Sequence, residues 1–420
     1  MAKWKIYTPE GVQDILFEEC YLKRSLEAKI RKLFNSYGYL EVETPTLEFY
    51  DTFSTESDIT PQETMFKFFD QQGRILVLRP DITIPIARIA ATKFKGARYP
   101  LRFSYIQNAF KYNELGGGKQ KEFTQAGVEI VGSSTPEADA EVIATAIHTV
   151  KAAGLKDFQI DIGQVDFFKG LMEQTGLSGQ DIEQMRVLID RKDFLGIEEI
   201  VKGYNIPGEL KELIFNLPGL FGSADIIDRV EKITVNERSI HALENLRSVL
   251  RILEDYSLSD YVSIDLGMLQ SLNYYTGIIF RGFTYGVGFP ILSGGRYDDL
   301  IGQYGEKCPA TGFSLGINMV MTALDRQKVP AEKPCVDSLV SYTEKGRRNA
   351  FRIADELRKQ GLGVEMDITG YGIEELKEYA RSKGIGGILY ILDDEHIQLH
   401  NIITGEVSDA TMGQLMNKAL

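Results

Sequence analysis

The sequence predicts an α+β fold: an antiparallel sheet flanked by helices, interrupted by a helical insertion and followed by a small α/β domain. Three observations carry this reading. Apolar residues alternate with period two at Leu101, Phe103 and Tyr105 and again at Ala126, Val128 and Ile130, with a polar, glycine-rich turn at 113–119 between the runs, which is the pattern of a long hairpin. Residues 167–259 are charged, helical in period and broken by Pro207 and Pro218, and strand-like runs return after them. Beyond a linker at 328–334, residues 333–420 read as strand, helix, strand, helix and strand. The expected division is therefore a core of 1–166 and 260–328, an insertion of 167–259 and a terminal domain of 333–420.

Taken in order, residues 14–37 form an amphipathic helix, because Leu22, Leu26, Ile30 and Leu33 or Phe34 recur every three or four positions, with Asp14 ahead and Gly38 beyond. Residues 38–45 then make a turn and a strand stopped by Pro45. After the hairpin, Thr135 and Pro136 open a helix whose inner face carries Ile143, Ala146, Ile147 and Val150 and which ends at Gly154. Strands resume at 262–266 and 275–283.

A chain of 420 residues exceeds one ordinary domain, and its 43% hydrophobic content supplies ample core. No apolar run reaches the ~18 residues that span a bilayer, and no signal segment opens the chain, so a cytoplasmic address is expected and a membrane is not. Cys20, Cys308 and Cys335 are odd in number and widely spaced, the reading for reduced structural thiols. The histidines are scattered, and His396 and His400, four apart, fall in a strand and loop where that spacing does not converge on a metal. Neither a metal nor a cofactor is expected. The net charge of -13 opposes attraction to a phosphate backbone, which weakens tRNA as a partner.

The residues that can carry chemistry lie on few segments. Along 123–130 the strand period puts Phe123, Gln125, Gly127 and Glu129 on one face and Thr124, Ala126, Val128 and Ile130 on the other. The first face offers an amide and a carboxylate around a glycine that leaves room for a small ligand. From periodicity alone the blander reading, a half-exposed strand with its polar side in water, is preferred. Asp81 and Thr83, two apart ahead of a helix, can hold an ammonium group or cap that helix. Tyr274 and Tyr275 point to opposite faces if they lie on a strand, so one at most faces a pocket. The glycine-rich stretches at 294–300 and 312–316 give close backbone approach, but the phosphate-loop spacing is absent, as is any Ser-His-Asp or Cys-His set.

Together and in this order, these segments resemble histidyl-tRNA synthetase and its relatives, class II aminoacyl-tRNA synthetase-like proteins, over essentially the whole chain. Segment 38–45 resembles the family's dimer-forming first motif, 110–129 its second, and 312–319 its third. Segments 272–277 and 294–300 resemble the two signatures peculiar to the histidine enzymes. The resemblance implies a free-histidine site, with Asp81, Thr83 and Gln125 near the α-amino group, Glu129 and Tyr275 near the imidazole, and Tyr297 lining the pocket. It also reverses the blander reading of the Gln125–Glu129 strand.

Against that family pattern, Lys111 stands where the second motif has its phosphate-holding arginine, Gln270 stands where the catalytic arginine precedes the tyrosine pair, and Asn318 and Met319 replace the third motif's acid and arginine. One such cation contributes ~10³ to 10⁵ in rate to phosphoryl-type transfer. A kept pocket with lost cations resembles the regulatory-subunit family of ATP phosphoribosyltransferase, synthetase paralogues that accompany a short-form catalytic subunit. That resemblance implies a chain without catalytic residues, partnered by the catalytic subunit in a hetero-octamer, self-associating through the class II core and carrying feedback inhibition by histidine. Residues 333–420 resemble an anticodon-binding domain, which keeps two alternatives open: a divergent histidyl-tRNA synthetase and a stand-alone histidine or tRNA sensor.

Overall fold

The computed structural model describes residues 4–54, 62–112, 120–269, 275–330 and 333–414. The elements run α1 (Phe17–Ser36), β1 (Leu40–Glu41), β2 (Leu47–Phe49), β3 (Lys67–Phe69), β4 (Ile75–Leu78), α2 (Thr83–Lys93), β5 (Leu101–Phe110), β6 (Glu122–Val131), α3 (Pro136–Ala152) and β7 (Phe158–Gln164). Helices α4 to α9 occupy the stretch from Val165 to Asp255, with the short strand β8 (Phe221–Gly222) among them. Then come β9 (Val262–Asp265), β10 (Ile278–Thr284), β11 (Leu292–Arg296), β12 (Ala310–Gly316) and α10 (Ile317–Arg326).

Helix α1 buries Leu26, Ile30 and Phe34, the four-residue stripe of its sequence, while its N-cap is Leu16 without a side-chain cap, so Asp14 does not cap it. Helix α3 starts on Pro136, whose missing N–H costs nothing in a first turn, and carries Glu137 and Asp139 at its positive end.

One sheet joins most strands of this unit, in the order β1-β5-β6-β12-β11-β10-β7-β9-β8. Its middle, from β5 to β7, is antiparallel. Beyond it β1 runs parallel to β5 and β9 parallel to β7, while the edge strand β8 is antiparallel to β9. The sheet is therefore mixed where an antiparallel one was expected, because helices separate β1 from β5 and β7 from β9 along the chain and the returning strand enters in the same direction. Strands β7 and β10 pair from Gln164↔Ile278 outward, so the helical stretch leaves and rejoins one sheet between neighbours. The smaller sheet β2-β4-β3 leads through β4 into α2.

The large sheet is buried on both faces. Ala126, Val128 and Ile130 of β6 join Leu26, Ile30, Phe34, Ile143 and Ile147 from α1 and α3 in one core cluster. Phe103, Tyr105, Ile279 and Tyr297 join Ile84 and Ile86 of α2 in another on the opposite face. The polar side of β6 is thus covered, and the half-exposed reading of that strand does not hold. The expected strand at 275–283 begins only at Ile278, and the segment before it is not part of the ladder.

The second compact unit, Glu332–Leu420, holds β13 (Ser338–Tyr342), α11 (Arg347–Lys359), β14 (Val364–Met366), α12 (Ile373–Lys383), β15 (Gly387–Ile391), β16 (His396–Asn401) and β17 (Val407–Thr411), ordered β14-β13-β15-β16-β17. The last two strands exceed the predicted alternation. Their turn was legible in principle: Asp393 accepts from the backbone N–H of Glu395 and His396 and closes the β15–β16 hairpin. Both His396 and His400 lie on β16, the first paired with Asp393 and the second buried. Among the described residues, no group of three or more His, Cys, Asp or Glu side chains could hold a metal, and no helix is long and apolar enough to cross a membrane.

Candidate functional site

Glu129 is the centre of the site. It lies on the inner face of β6, only 1% exposed, and accepts three hydroxyl hydrogen bonds. Thr83 Oγ1 donates to Oε1 at 2.9 Å, Tyr105 Oη to Oε1 at 3.4 Å, and Tyr297 Oη to Oε2 at 2.5 Å. Each donor comes from a different element: the first turn of α2, the middle of β5, and the residue after β11.

Register explains the convergence. Glu129 pairs with Gly312 of β12 and with Phe103 of β5, and Tyr105 pairs with Gly127. A Cβ on Gly312 would stand 1.6 Å from Glu129 Oε2, and one on Gly127 would stand 2.4 Å from the Tyr105 hydroxyl, so both glycines are required by the groups that fill their places. The carboxylate lies against the sheet because the neighbouring strand has no side chain there.

Electrostatics follow from this packing. Burial pushes the Glu129 carboxyl up to about 8, against the opposing pull of the Tyr297 and Thr83 hydroxyls, and nearby Asp81 adds to the rise. Burial first, then Glu129, hold the Tyr105 and Tyr297 hydroxyls well above the ordinary tyrosine range, so both remain donors. A buried acid ringed by donors is suited to receive an N–H from a ligand; among the described residues no cation bonds to it.

The other predicted residues fall into place unevenly. Asp81 is half-buried and accepts from the Ile84 backbone N–H at 3.2 Å, the capping role open to it from sequence, while its charge is felt by Glu129 and Tyr105. Gln125, 8% exposed, lies on the Glu129 face, and its Oε1 is buried without a hydrogen-bond partner, which leaves an acceptor for a ligand ammonium. Tyr275, 7% exposed, sits in the same apolar cluster as Tyr105 and Tyr297 and lies against Gly295. Tyr274 and Gln270 lie outside the described residues, as does the hairpin tip at 113–119.

Of the three positions expected to depart from the synthetase pattern, Lys111 is half-buried and its N–H bonds the Lys121 carbonyl at the base of the hairpin. Met319, on α10, packs against the core cluster on the far face of the sheet. Its neighbour Asn318 ties α10 to β6, accepting from Thr124 N–H and donating to Gln120. Sequence reasoning missed Tyr105 as a site residue, although its period-two strand position opposite Gly127 was the available signal. It also missed Arg296 and Asp139, which carry no local signature.

The sheet and the glycine-backed carboxylate define a histidyl-tRNA synthetase-like protein with the class II synthetase fold. A family model for histidyl-tRNA synthetase matches residues 11–320. A Nostoc histidyl-tRNA synthetase shares the fold at a TM-score of 0.83 with 22% identity, over 98% of this chain and 98% of that one. A Bacillus halodurans protein described as an ATP phosphoribosyltransferase regulatory subunit/histidyl-tRNA synthetase superposes at a TM-score of 0.83 with 32% identity, over 92% of this chain and 98% of that one. An ATP phosphoribosyltransferase regulatory subunit from Acetivibrio thermocellus is 71% identical over 416 residues, 99% of this chain and 100% of that protein, and one from Ruminiclostridium cellulolyticum is 56% identical over 417 residues, 99% of this chain and 100% of that protein. The chain belongs to the family of ATP phosphoribosyltransferase regulatory subunits.

Proposed function

We propose that this chain binds free histidine at Glu129 and thereby regulates a short-form ATP phosphoribosyltransferase catalytic subunit, activating it by association and inhibiting it when histidine is bound. The observation that carries this reading is the Glu129 cluster, a buried carboxylate with Thr83, Tyr105 and Tyr297 as fixed donors and Gln125 with an unpaired acceptor beside it. Glu129, Tyr275 and Tyr297 receive the imidazole; Asp81, Thr83 and Gln125 receive the ammonium group. Lys111, Gln270 and Met319 replace the cations a synthetase needs at a nucleotide phosphate. Lys111 keeps charge without the bidentate fork, and Gln270 and Met319 carry none, so the chain performs no adenylation.

In this reading the core self-associates through the 38–45 segment, the assembly with the catalytic subunit is a hetero-octamer in the cytoplasm, and tRNA is not a ligand. The division at 1–166 with 260–328, 167–259 and 333–420 gives the core, the helical insertion and the terminal domain. The test is phosphoribosyl-ATP formation by the catalytic subunit with and without this chain and histidine. Activation by the chain and inhibition by histidine support the reading. Histidine-dependent ATP–pyrophosphate exchange by the chain alone, or no effect on the partner, overturns it.

A further inference from the structure

Arg296 immediately precedes Tyr297 and is 6% exposed. Its guanidinium reaches Asp139 in the first turn of α3, with Nε donating to Oδ2 at 3.1 Å, while Nη2 lies 3.0 Å from Oδ1 as an ion-pair contact off hydrogen-bond alignment. Nη1 donates to the Ser133 carbonyl at 2.9 Å and to Asp298 Oδ1 at 3.1 Å. Burial works against the guanidinium charge, but Asp139 and Asp298 outweigh it and hold the group above its ordinary value.

The backbone of the same residue anchors a second segment. The Arg296 carbonyl accepts from Thr276 N–H at 2.8 Å, and Thr276 Oγ1 accepts from Asp298 N–H at 3.0 Å. Asp298 Oδ1 also accepts from Ala310 N–H at 3.2 Å, at the start of β12. Gly277 comes so close to the Arg296 stem that a Cβ there would stand 3.1 Å from Cδ. One residue thus fastens the lead-in to β10, which bears Tyr275, to the end of β11, which Tyr297 follows, and both to the first turn of α3.

We infer that Arg296 is the positioning residue of the aromatic wall: clamped by Asp139, it sets where Tyr275 and Tyr297 stand about Glu129 and so how closely the pocket fits an imidazole ring. The inference rests on the histidine reading of the site. A buried guanidinium with its partners is a poor source of net stability, since an apolar replacement of both partners packs as well, but it fixes geometry in three segments at once. Loosening the wall should weaken histidine binding and, separately, reduce rejection of a ring-methylated histidine, because a wall that gives way admits the extra methyl group.

The experiment measures calorimetric affinities of the full chain for histidine and for Nτ-methylhistidine in wild type, Arg296→Lys, Arg296→Met and Thr276→Val. Thr276→Val removes the hydroxyl that joins Tyr275's segment to Asp298 without leaving Asp139 unpaired, so it keeps the test valid if Arg296→Met does not fold. The expected result is a loss of roughly ten-fold in histidine affinity for Thr276→Val, with the preference for histidine over its methylated analogue falling several-fold, and partial recovery of both in Arg296→Lys relative to Arg296→Met. Wild-type histidine affinity and preference retained in folded Thr276→Val and Arg296→Lys would overturn the positioning role alone. A wild-type chain that does not bind histidine would overturn the pocket reading, and this inference with it.

Discussion

Replacing Gly312 by alanine should abolish the candidate pocket and lower the stability of the sheet around it. The added Cβ would lie 1.6 Å from Glu129 Oε2 and 2.5 Å from the Val128 carbonyl oxygen. The carboxylate end could swing away, but the backbone oxygen cannot, so strands β6 and β12 must part or Glu129 must leave its donors. In the second case the bonds from Tyr297 at 2.5 Å and Thr83 at 2.9 Å are lost. At about 1 to 3 kcal/mol for each buried group left without its partner, the change costs roughly 2 to 6 kcal/mol, or about thirty-fold or more in affinity for a ligand that needs the carboxyl in place. Isothermal titration with histidine, alongside a thermal melt, measures both consequences. Gly361→Ala, at a position with nothing near its Cβ, is not a suitable control because its φ of +87° is itself strained. Gly208→Ala, with open space and ordinary backbone, is. Histidine affinity within about three-fold of wild type and an unchanged melt for Gly312→Ala would refute the packing argument.

Other expectations follow from the same geometry. Glu129 has its carboxyl raised from 4.5 to about 8, so its protonated form contributes stability to the unliganded chain that is fully present below pH 4.5 and lost as pH rises through about 8. The shift corresponds to roughly 5 kcal/mol, and thermal melts between pH 5 and 9 should fall less steeply in Glu129→Gln than in wild type. Tyr105→Phe removes one long donor bond and should weaken histidine binding by roughly five-fold in titration calorimetry, less than Tyr297→Phe, whose bond is shorter. His400 is buried with both ring nitrogens unpartnered, and burial, then Lys377, lower its pKa. Stability of the terminal unit should therefore be complete above pH 6.5 and decline as pH falls below it, and His400→Gln should behave differently only in that acid range when followed by circular dichroism.

The strands that carry the site were legible because alternation and glycine placement are local signals. Gln125 and Glu129 could be placed on one face of their strand, and Phe103 and Tyr105 on one face of theirs, from spacing alone; it is the β5–β6 register that brings the two faces together. What periodicity could not say was that a second layer covers this face. That depends on α2 and on Tyr297, which is 168 residues away in sequence from the carboxylate it bonds. Parallel flanking strands escaped the reading for a related reason: direction is set by the crossing helices, not by the two or four residues of β1 and β9. Arg296 and Asp139 lie 157 residues apart, and neither bears a local pattern that names the other. The roles of Asp81 and Thr83 divided in just the way their short polar side chains allow, one bonding a helix N–H and the other the carboxylate.

The insertion of helices between β7 and β10 has a consequence for the order in which the molecule is made. When the ribosome has delivered Glu129, Thr83 and Tyr105, the strand that backs the carboxylate with Gly312 and the tyrosine that shares it are still to come, beyond the whole helical stretch. An unfinished chain therefore exposes an acid that solvent keeps ionised near neutral pH, and it has no closed wall to discriminate one ring from another. On the proposed reading of the pocket, selective binding begins only once β12 has entered between β6 and β11, and a signal read from it would report on completed, closed molecules and not on nascent ones.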